Sequence, residues 1–174
     1  ELMQYTLFKS DERIPLLKEV LEMVDGRVPL IVELKIPWRA KPTCMAVDAL
    51  LKDYKGLYCI QSFNPFGLMW YKRYRPDIVR GQLSTDFFRE KVDGNKAQFV
   101  FLKYLLFNFL TKPDFISYQH EYKNNLSLII CRKLYRTKTA AWTVKSEEEL
   151  ESCRKGKHFD LFIFDSFIPA NNRP

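Results

Sequence analysis

The sequence has 174 residues, of which 47% are hydrophobic and 15% aromatic, so it can bury a substantial core as a single domain over residues 1–174. Its four cysteines form no CxxC pair and are not spaced with the two histidines as zinc ligands, which excludes a small zinc-binding domain. No segment approaches the roughly 18 apolar residues of a membrane-spanning helix.

The formal net charge of +7 suits an anionic partner, such as a phosphate compound, a nucleic acid or an acidic membrane surface, but a solvated basic surface explains it equally well. Lys and Arg are dispersed without a run of about five, so we expect no nucleic-acid partner.

Reduced cysteines and the lack of a signal peptide favour a cytoplasmic protein. Because the first residue is Glu and not Met, a signal or membrane anchor upstream of Glu1 would lie outside this sequence.

Helical and strand patterns alternate in the first half of the chain. A helix with an apolar stripe at three- and four-residue steps begins at Pro15 and ends at Gly26. The predicted elements that follow are a strand at 29–35, a helix from Pro42 to Gly56, a strand at 57–63, a helix from Asn64 to the residue before Pro76, and a strand at 77–83.

The second half continues the alternation after a polar loop at 84–94. Ser146 and Glu149 form the pattern of a capping box, which predicts the start of the last helix. The predicted elements are a long apolar helix at 97–110, a strand at 115–118, a helical or irregular segment at 122–133, a strand at 139–144, a helix at 146–154, and a strand at 159–165.

Strands that alternate with helices predict a parallel sheet with right-handed crossovers. Several strands are apolar throughout, as expected when both faces of a sheet are covered. An eight-stranded barrel and an open doubly wound sheet both fit this pattern. No glycine-rich phosphate-binding loop follows a strand, which disfavours a nucleotide-binding open sheet.

The strand at 29–35 carries charge at its carboxyl end, where both architectures bind ligands. Glu33 and Lys35 point to the same side of this strand, and Leu34 points to the other. Such a pair indicates either an ion pair within the fold or a site for a phosphate ester beside a divalent metal. The ends of the other strands add Ser62, Gln82, Ser117, Tyr118, Trp142, Thr143 and Asp165.

Simpler roles are available for several of these side chains. Trp142 could belong to the core, and Ser62 could cap the end of its strand. His120 follows the fourth predicted strand and could reach the rim of a site, but a lone exposed histidine is the simpler explanation. We expect His158 to lie at the opposite end of the sheet, so no general acid and base can be identified. Glu33 is a single carboxylate where a hard divalent cation prefers about two or three protein oxygens.

Five segments together resemble the glycerophosphodiester phosphodiesterases. Their order and spacing agree over essentially the whole chain. The specific piece is W-T-V-x-[ST]-E-E-E-L before an apolar strand that ends in Asp, whereas E-x-K alone is common. The five segments are Arg13-Ile-Pro-Leu-Leu-Lys-Glu-Val-Leu21, the strand that ends in Glu33-Leu-Lys35, Ser62-Phe63, Lys112-Pro-Asp-Phe-Ile-Ser-Tyr118, and 141–150.

The resemblance implies an α/β fold, an incomplete TIM-type (β/α)8 barrel with about six βα units that match strands three to eight. It also implies metal-dependent hydrolysis of a small-molecule glycerophosphodiester to an alcohol and glycerol 3-phosphate, a reaction of lipid and glycerol metabolism, with Ca²⁺ or Mg²⁺ as the metal. Glu33 matches the family's metal-binding Glu, and Lys35 matches the catalytic-motif lysine that faces the phosphate. Ser62, Phe63 and Trp142 match positions that line the substrate pocket.

The chain departs from this family in one respect. Members begin with strands that carry His-Arg-Gly, Glu-Asn-Thr, Glu-x-Asp and His-Asp, and none of these pieces is in the sequence. Since they supply both catalytic histidines and further metal carboxylates, we expect the 174-residue chain alone to be inactive. Three explanations are open: an upstream part of a longer protein completes the barrel, another copy or chain covers its open edges, or the chain is a non-catalytic remnant that binds a ligand or partner.

Overall fold

A computed structural model describes residues 4–7, 10–36 and 39–170. Each strand of the sheet pairs in parallel with the next strand along the chain. This unbroken order is that of a barrel segment, because a doubly wound sheet reverses its strand order at a switch point. The strands are β1 Leu30–Glu33, β2 Tyr58–Ser62, β3 Arg80–Ser84, β4 Phe115–Gln119, β5 Lys138–Val144 and β6 Leu161–Phe164.

Helices connect the strands and cover the outer face of the sheet. Two buried clusters fill the space between the two layers, one around Ile60 and Leu68 and the other around Ile116 and Leu128. The helices are α1 Leu17–Val24, α2 Ala40–Leu51, α3 Pro65–Tyr74, α4 Lys96–Lys103, α5 Asn108–Thr111, α6 Leu126–Lys133 and α7 Glu147–Lys155, with a 3-10 turn at His120–Tyr122.

Polar side chains fix the starts of several helices, as local sequence predicts. Asn64 Oδ1 accepts a 2.9 Å hydrogen bond from the backbone N–H of Phe66, and Ser146 Oγ accepts one of 3.2 Å from that of Glu149. The predicted capping box is half formed, because the Glu149 carboxylate accepts from the N–H of Lys145 at 2.8 Å. Each bond satisfies an N–H that has no partner within its helix.

The predicted long helix at 97–110 is wrong as a single element. It breaks into α4 and α5 because Leu105 adopts a left-handed conformation with a φ of 55°. The Leu105 side chain is thereby buried in the cluster around Ile116 and Leu128. A straight helix through this segment would present apolar residues all round, and the break lets one of them join the core.

Smaller differences concern the ends of elements. The helix α2 begins two residues before Pro42, which is still within the first turn, where a missing N–H costs nothing. The strand predicted at 77–83 begins only at Arg80, because the N–H of Ile78 donates to the oxygen of Arg75 and closes a turn.

The sheet is an open half-barrel of the α/β class, as the family resemblance implies. Among the described residues no strand pairs with the outer side of β1 or β6, so both edges of the sheet are open. The four cysteines are free thiols. In the described part of the chain, no helix has the length and apolar character needed to cross a bilayer.

Candidate functional site at the carboxyl ends of the strands

Glu33 and Lys35 emerge from the end of β1 on the concave side of the sheet. Both are exposed, whereas Leu34 between them is 3% exposed and packs outward in the cluster around Ile60. Neither charged group forms a salt bridge to another described residue. Within that part of the chain the ion-pair explanation therefore fails, and the two charges are available to a ligand.

The backbone that carries Lys35 is held by the neighbouring strand and the loop after it. The N–H of Leu34 donates to the oxygen of Gln61 at 2.8 Å, and Ser62 Oγ donates to the oxygen of Leu34 at 2.7 Å. Asn64 Nδ2 donates to the oxygen of Ile36 at 3.2 Å. These bonds fix both sides of Lys35, so its ammonium is presented from an anchored segment.

Ser62 is fully buried, and its hydroxyl already has two backbone partners. It donates to Leu34 and accepts from the N–H of Asn64 at 3.1 Å. The structure therefore gives Ser62 the role of a strand-end clamp, and its predicted contact with substrate stays a prediction.

Four of the five predicted site residues line a cavity of about 700 Å³ at the end of β1 and β2. They are Glu33, Lys35, Ser62 and Phe63, and Phe87 also lines this cavity. A second cavity of about 550 Å³ adjoins it over β3 to β5, and Phe63 and Phe87 line both. The two cavities share these two residues at the carboxyl ends of the strands and are together called the cleft.

Aromatic rings form the floor between the two cavities. The rings of Phe63 and Trp142 meet edge to face with centroids 5.6 Å apart, and Phe63 meets Phe87 at 6.0 Å. Trp142 is half-buried and lines the second cavity. The structure thus brings together Phe63 and Trp142, two predicted pocket residues that lie far apart in the sequence. Their rings form an apolar floor that suits the carbon skeleton of a small ligand.

His120 takes the first of its two predicted positions, beside the site and not exposed. Its side chain is only 12% exposed and lines the second cavity, and its Nε2 lies 3.7 Å from Glu149 Oε2. Glu149 belongs to α7, far from His120 in the sequence, so the sequence around His120 alone could not reveal this contact. His158, in contrast, precedes β6 and lies at the opposite end of the sheet, as predicted.

Gln119 and Glu90 line the second cavity and escaped the sequence analysis, as did Tyr122 beside them. Gln119 Nε2 donates to Glu90 Oε1 at 3.1 Å, and Tyr122 Oη donates to the same oxygen at 2.6 Å. This hydrogen bond to Glu90 raises the pKa of Tyr122 to about 12. Gln119 could have been found from its alternation with Ser117 on β4, and Glu90 from its place in the loop after β3.

The other strand-end residues are divided between the cleft and the scaffold. Gln82 is buried, and its amide donates to the backbone oxygens of Ser62 and Leu83. Tyr118 points outward into the core. Thr143 lines the second cavity, and Asp165 is exposed beyond β6.

A divalent metal needs more ligands than these residues bring together. Ca²⁺ or Mg²⁺ takes about six oxygens, usually with two or more carboxylates from protein or substrate phosphates. The described residues contain no group of three or more His, Cys, Asp or Glu side chains placed to hold a metal ion. Glu33 by itself therefore does not make a metal centre.

No family model and no curated protein matches the chain. Solved structures do match. A phosphodiesterase from Oleispira antarctica in complex with the product sn-glycerol-3-phosphate shares 21% identity at a TM-score of 0.64, covering 87% of this chain and 57% of its own. A glycerophosphodiester phosphodiesterase from Parabacteroides distasonis shares 16% identity at a TM-score of 0.67, with coverages of 94% and 65%. The chain therefore has the fold of these phosphodiesterases over less than two thirds of their length.

Proposed function

We propose that the chain is the larger part of a barrel that hydrolyses glycerophosphodiesters to an alcohol and glycerol 3-phosphate. The observation that supports it most is the pair of exposed charges Glu33 and Lys35 at the carboxyl end of β1, which form no salt bridge with any described residue. They lie in a half-barrel with the fold of solved glycerophosphodiester phosphodiesterases. Ligand sites of such barrels gather at this end.

The residues of this chain have separate roles in the proposal. The Lys35 ammonium contacts the phosphate and stabilises the negative charge that develops on its oxygens. Phe63 and Trp142 contact the carbon skeleton of the substrate and exclude water from one side of it. Ser62 and Asn64 hold the backbone on either side of Lys35, which keeps the ammonium in place.

Glu33 enters the proposal as one ligand of a divalent metal, Ca²⁺ or Mg²⁺. Its other ligands would have to come from outside the described residues, because these contain no group that completes the centre. A bound metal would neutralise charge on the phosphate. We accordingly expect no hydrolysis of glycerophosphocholine by the isolated chain with either metal added.

The open edges of β1 and β6 give the proposal a structural requirement. Further strands must pair with them, because unpaired edges on both sides of a parallel half-barrel leave backbone N–H and C=O groups without partners. We propose that βα units upstream of Glu1 close the barrel. A second copy of the chain covering these edges is the alternative, and the mass of the assembled protein in solution distinguishes the two.

The test is an assay of the protein produced from its natural reading frame, with glycerophosphocholine as substrate. Lys35→Ala should lower kcat/KM by about 100-fold or more, as removal of a transition-state contact does. Lys18→Ala, on the remote helix α1, is the matched control and should leave turnover unchanged. Failure of the natural protein to hydrolyse any glycerophosphodiester would contradict the proposal, and turnover by the isolated chain that Glu33→Ala abolishes would contradict its dependence on further residues.

A second candidate is a non-catalytic module that binds the same ligands on the same scaffold. The lack of a metal-binding group among the described residues favours it. Titration of the chain with sn-glycerol 3-phosphate by NMR would then show binding that Lys35→Ala weakens, while the natural protein shows no turnover.

A further inference from the structure

A groove of about 590 Å³ lies on the outer side of the half-barrel, between the segment at 104–113 and helix α6. Its walls are largely apolar and open to solvent. Five of its large side chains are exposed by 40% to 72%: Tyr104 40%, Leu106 43%, Phe109 72%, Ile130 40% and Tyr135 71%. Contiguous exposed apolar surface of this kind marks an interaction site in a soluble protein.

The break between α4 and α5 creates this surface. Leu105 turns inward into the core at the break, and its neighbours Tyr104 and Leu106 are left on the outside. Phe109, on the short helix α5, projects beside them. The exposed side chains therefore follow from the same local conformation that completes the core.

Closure of the barrel would not cover the groove. Lys112 and Pro113, which line it, lead into β4, and Thr137 leads into β5, in the second half of the sheet. Strands that complete the barrel would pair with β1 and β6, away from these connections. The groove also lies at the amino ends of its strands, opposite the cleft that contains Lys35.

Three cations lie on or beside the residues that line the groove. Lys112 lines it, and Lys133 and Arg136 lie within two residues of its lining residues Cys131 and Tyr135. The carboxylate that follows Pro113, Asp114, is already paired with Arg80 at 3.5 Å. Lys112, Lys133 and Arg136 form no salt bridge within the described part of the chain. A symmetric contact with a second copy would bring these uncompensated cations together, whereas an anionic partner would neutralise them.

We propose that this groove and its basic rim dock the protein onto the surface of an anionic phospholipid bilayer. Exposed aromatic and aliphatic side chains would enter the boundary between head groups and acyl chains, and the surrounding cations would face the lipid phosphates. The protein lies on the membrane without spanning it. This proposal stands independently of the activity assigned to the cleft.

The test measures co-sedimentation of the protein with vesicles of phosphatidylcholine alone or mixed with phosphatidylglycerol. We expect binding to the mixed vesicles only, and its loss in about 1 M salt, where the screening length is about 3 Å. Lys133→Glu with Arg136→Glu should lower the partition coefficient by about fivefold or more for each cation lost. Phe109→Ser with Tyr135→Ser should weaken binding while its salt dependence remains.

The matched control is Lys41→Glu with Lys91→Glu, which changes the net charge equally at exposed positions near the other end of the strands. It should retain most of the binding, and circular dichroism should show that every variant is folded. If the control and rim variants lose vesicle binding equally, net charge alone would explain the binding, and the proposal would be overturned. Sedimentation velocity measures the oligomeric state of the protein. A dimer that Phe109→Ser dissociates, in a protein that binds no vesicles, would assign the groove to self-association. A monomer that binds no vesicles would also contradict docking.

Discussion

Ser117 Oγ donates a 2.8 Å hydrogen bond to Gln61 Oε1 and so joins β4 to β2 across the concave face, over the strand between them. Both residues are buried, and Gln61 lies opposite Glu33 in the register of β1 and β2. The bond therefore links the middle of the sheet to the strand beside the charged pair. It also satisfies two polar groups that would otherwise be costly on a buried surface.

Ser117→Ala should reduce the free energy of unfolding by about 1–3 kcal/mol, because the buried Gln61 oxygen loses its partner. Gln61→Leu should cost a similar amount. The double variant should cost less than the two single effects together, since no unpaired group remains. Denaturant unfolding measures all three, and strict additivity would show that the two side chains do not stabilise each other.

Gly81→Ala should destabilise the protein by about 1–3 kcal/mol through overpacking. A methyl group at Gly81 would lie 2.2 Å from the nearest ring carbon of Phe115 on the adjacent strand. Phe115→Leu in the Gly81→Ala background should recover part of the loss. The comparison is Gly156→Ala, where the nearest atom belongs to the His158 side chain and the backbone is helical, and it should cost less.

Asn64 combines two roles that substitution can separate. Asn64→Asp keeps the oxygen that caps α3 but loses the amide that donates to the oxygen of Ile36. Asn64→Ala loses both groups and should cost about 1 kcal/mol more in stability. If the amide positions Lys35, both variants should weaken binding of sn-glycerol 3-phosphate in an NMR titration. Binding that is normal in Asn64→Asp would show that the cap alone matters.

Asp86 predicts a pH dependence of stability. Burial would raise its pKa, but hydrogen bonds from Lys103 and the Arg89 N–H, with the charge of Lys103, hold the pKa below its usual 3.8. A lowered folded-state pKa gives stability that is fully present well above pH 3.8 and is lost as the pH falls through the folded value. Asp86→Asn should be less stable at neutral pH and lose this acid-dependent part.

Chemical denaturation at a series of pH values from neutral to below 3.8 measures the effect. The wild-type curve should fall more steeply than the Asp86→Asn curve at the acidic end. Lys103→Met is the complementary variant, because it removes the partner and leaves the carboxylate in place. Parallel curves for the wild type and Asp86→Asn would show that Asp86 has the same pKa in the folded and unfolded states.

Local features of this protein were readable from the sequence. The alternation of side chains along a strand places Glu33 and Lys35 on one side whatever surrounds them. Asn64 and Ser146 cap helices through hydrogen bonds to residues two or three positions away. The order of strands and helices likewise follows from patterns within each segment.

Long-range packing decided the rest. Phe63 and Trp142 meet only because β2 and β5 belong to one curved sheet, and His120 approaches Glu149 of α7 only in the folded chain. The segment around Leu105 is apolar on all sides, and its chain breaks at Leu105 so that this side chain can pack in the core. The exposed groove lies beside that break. The sequence by itself determined the elements and the direction of the charged pair, through interactions of a few residues' range. The tertiary structure decided which side chains share a cleft and which apolar surface stays open, because these depend on contacts between segments far apart in the chain.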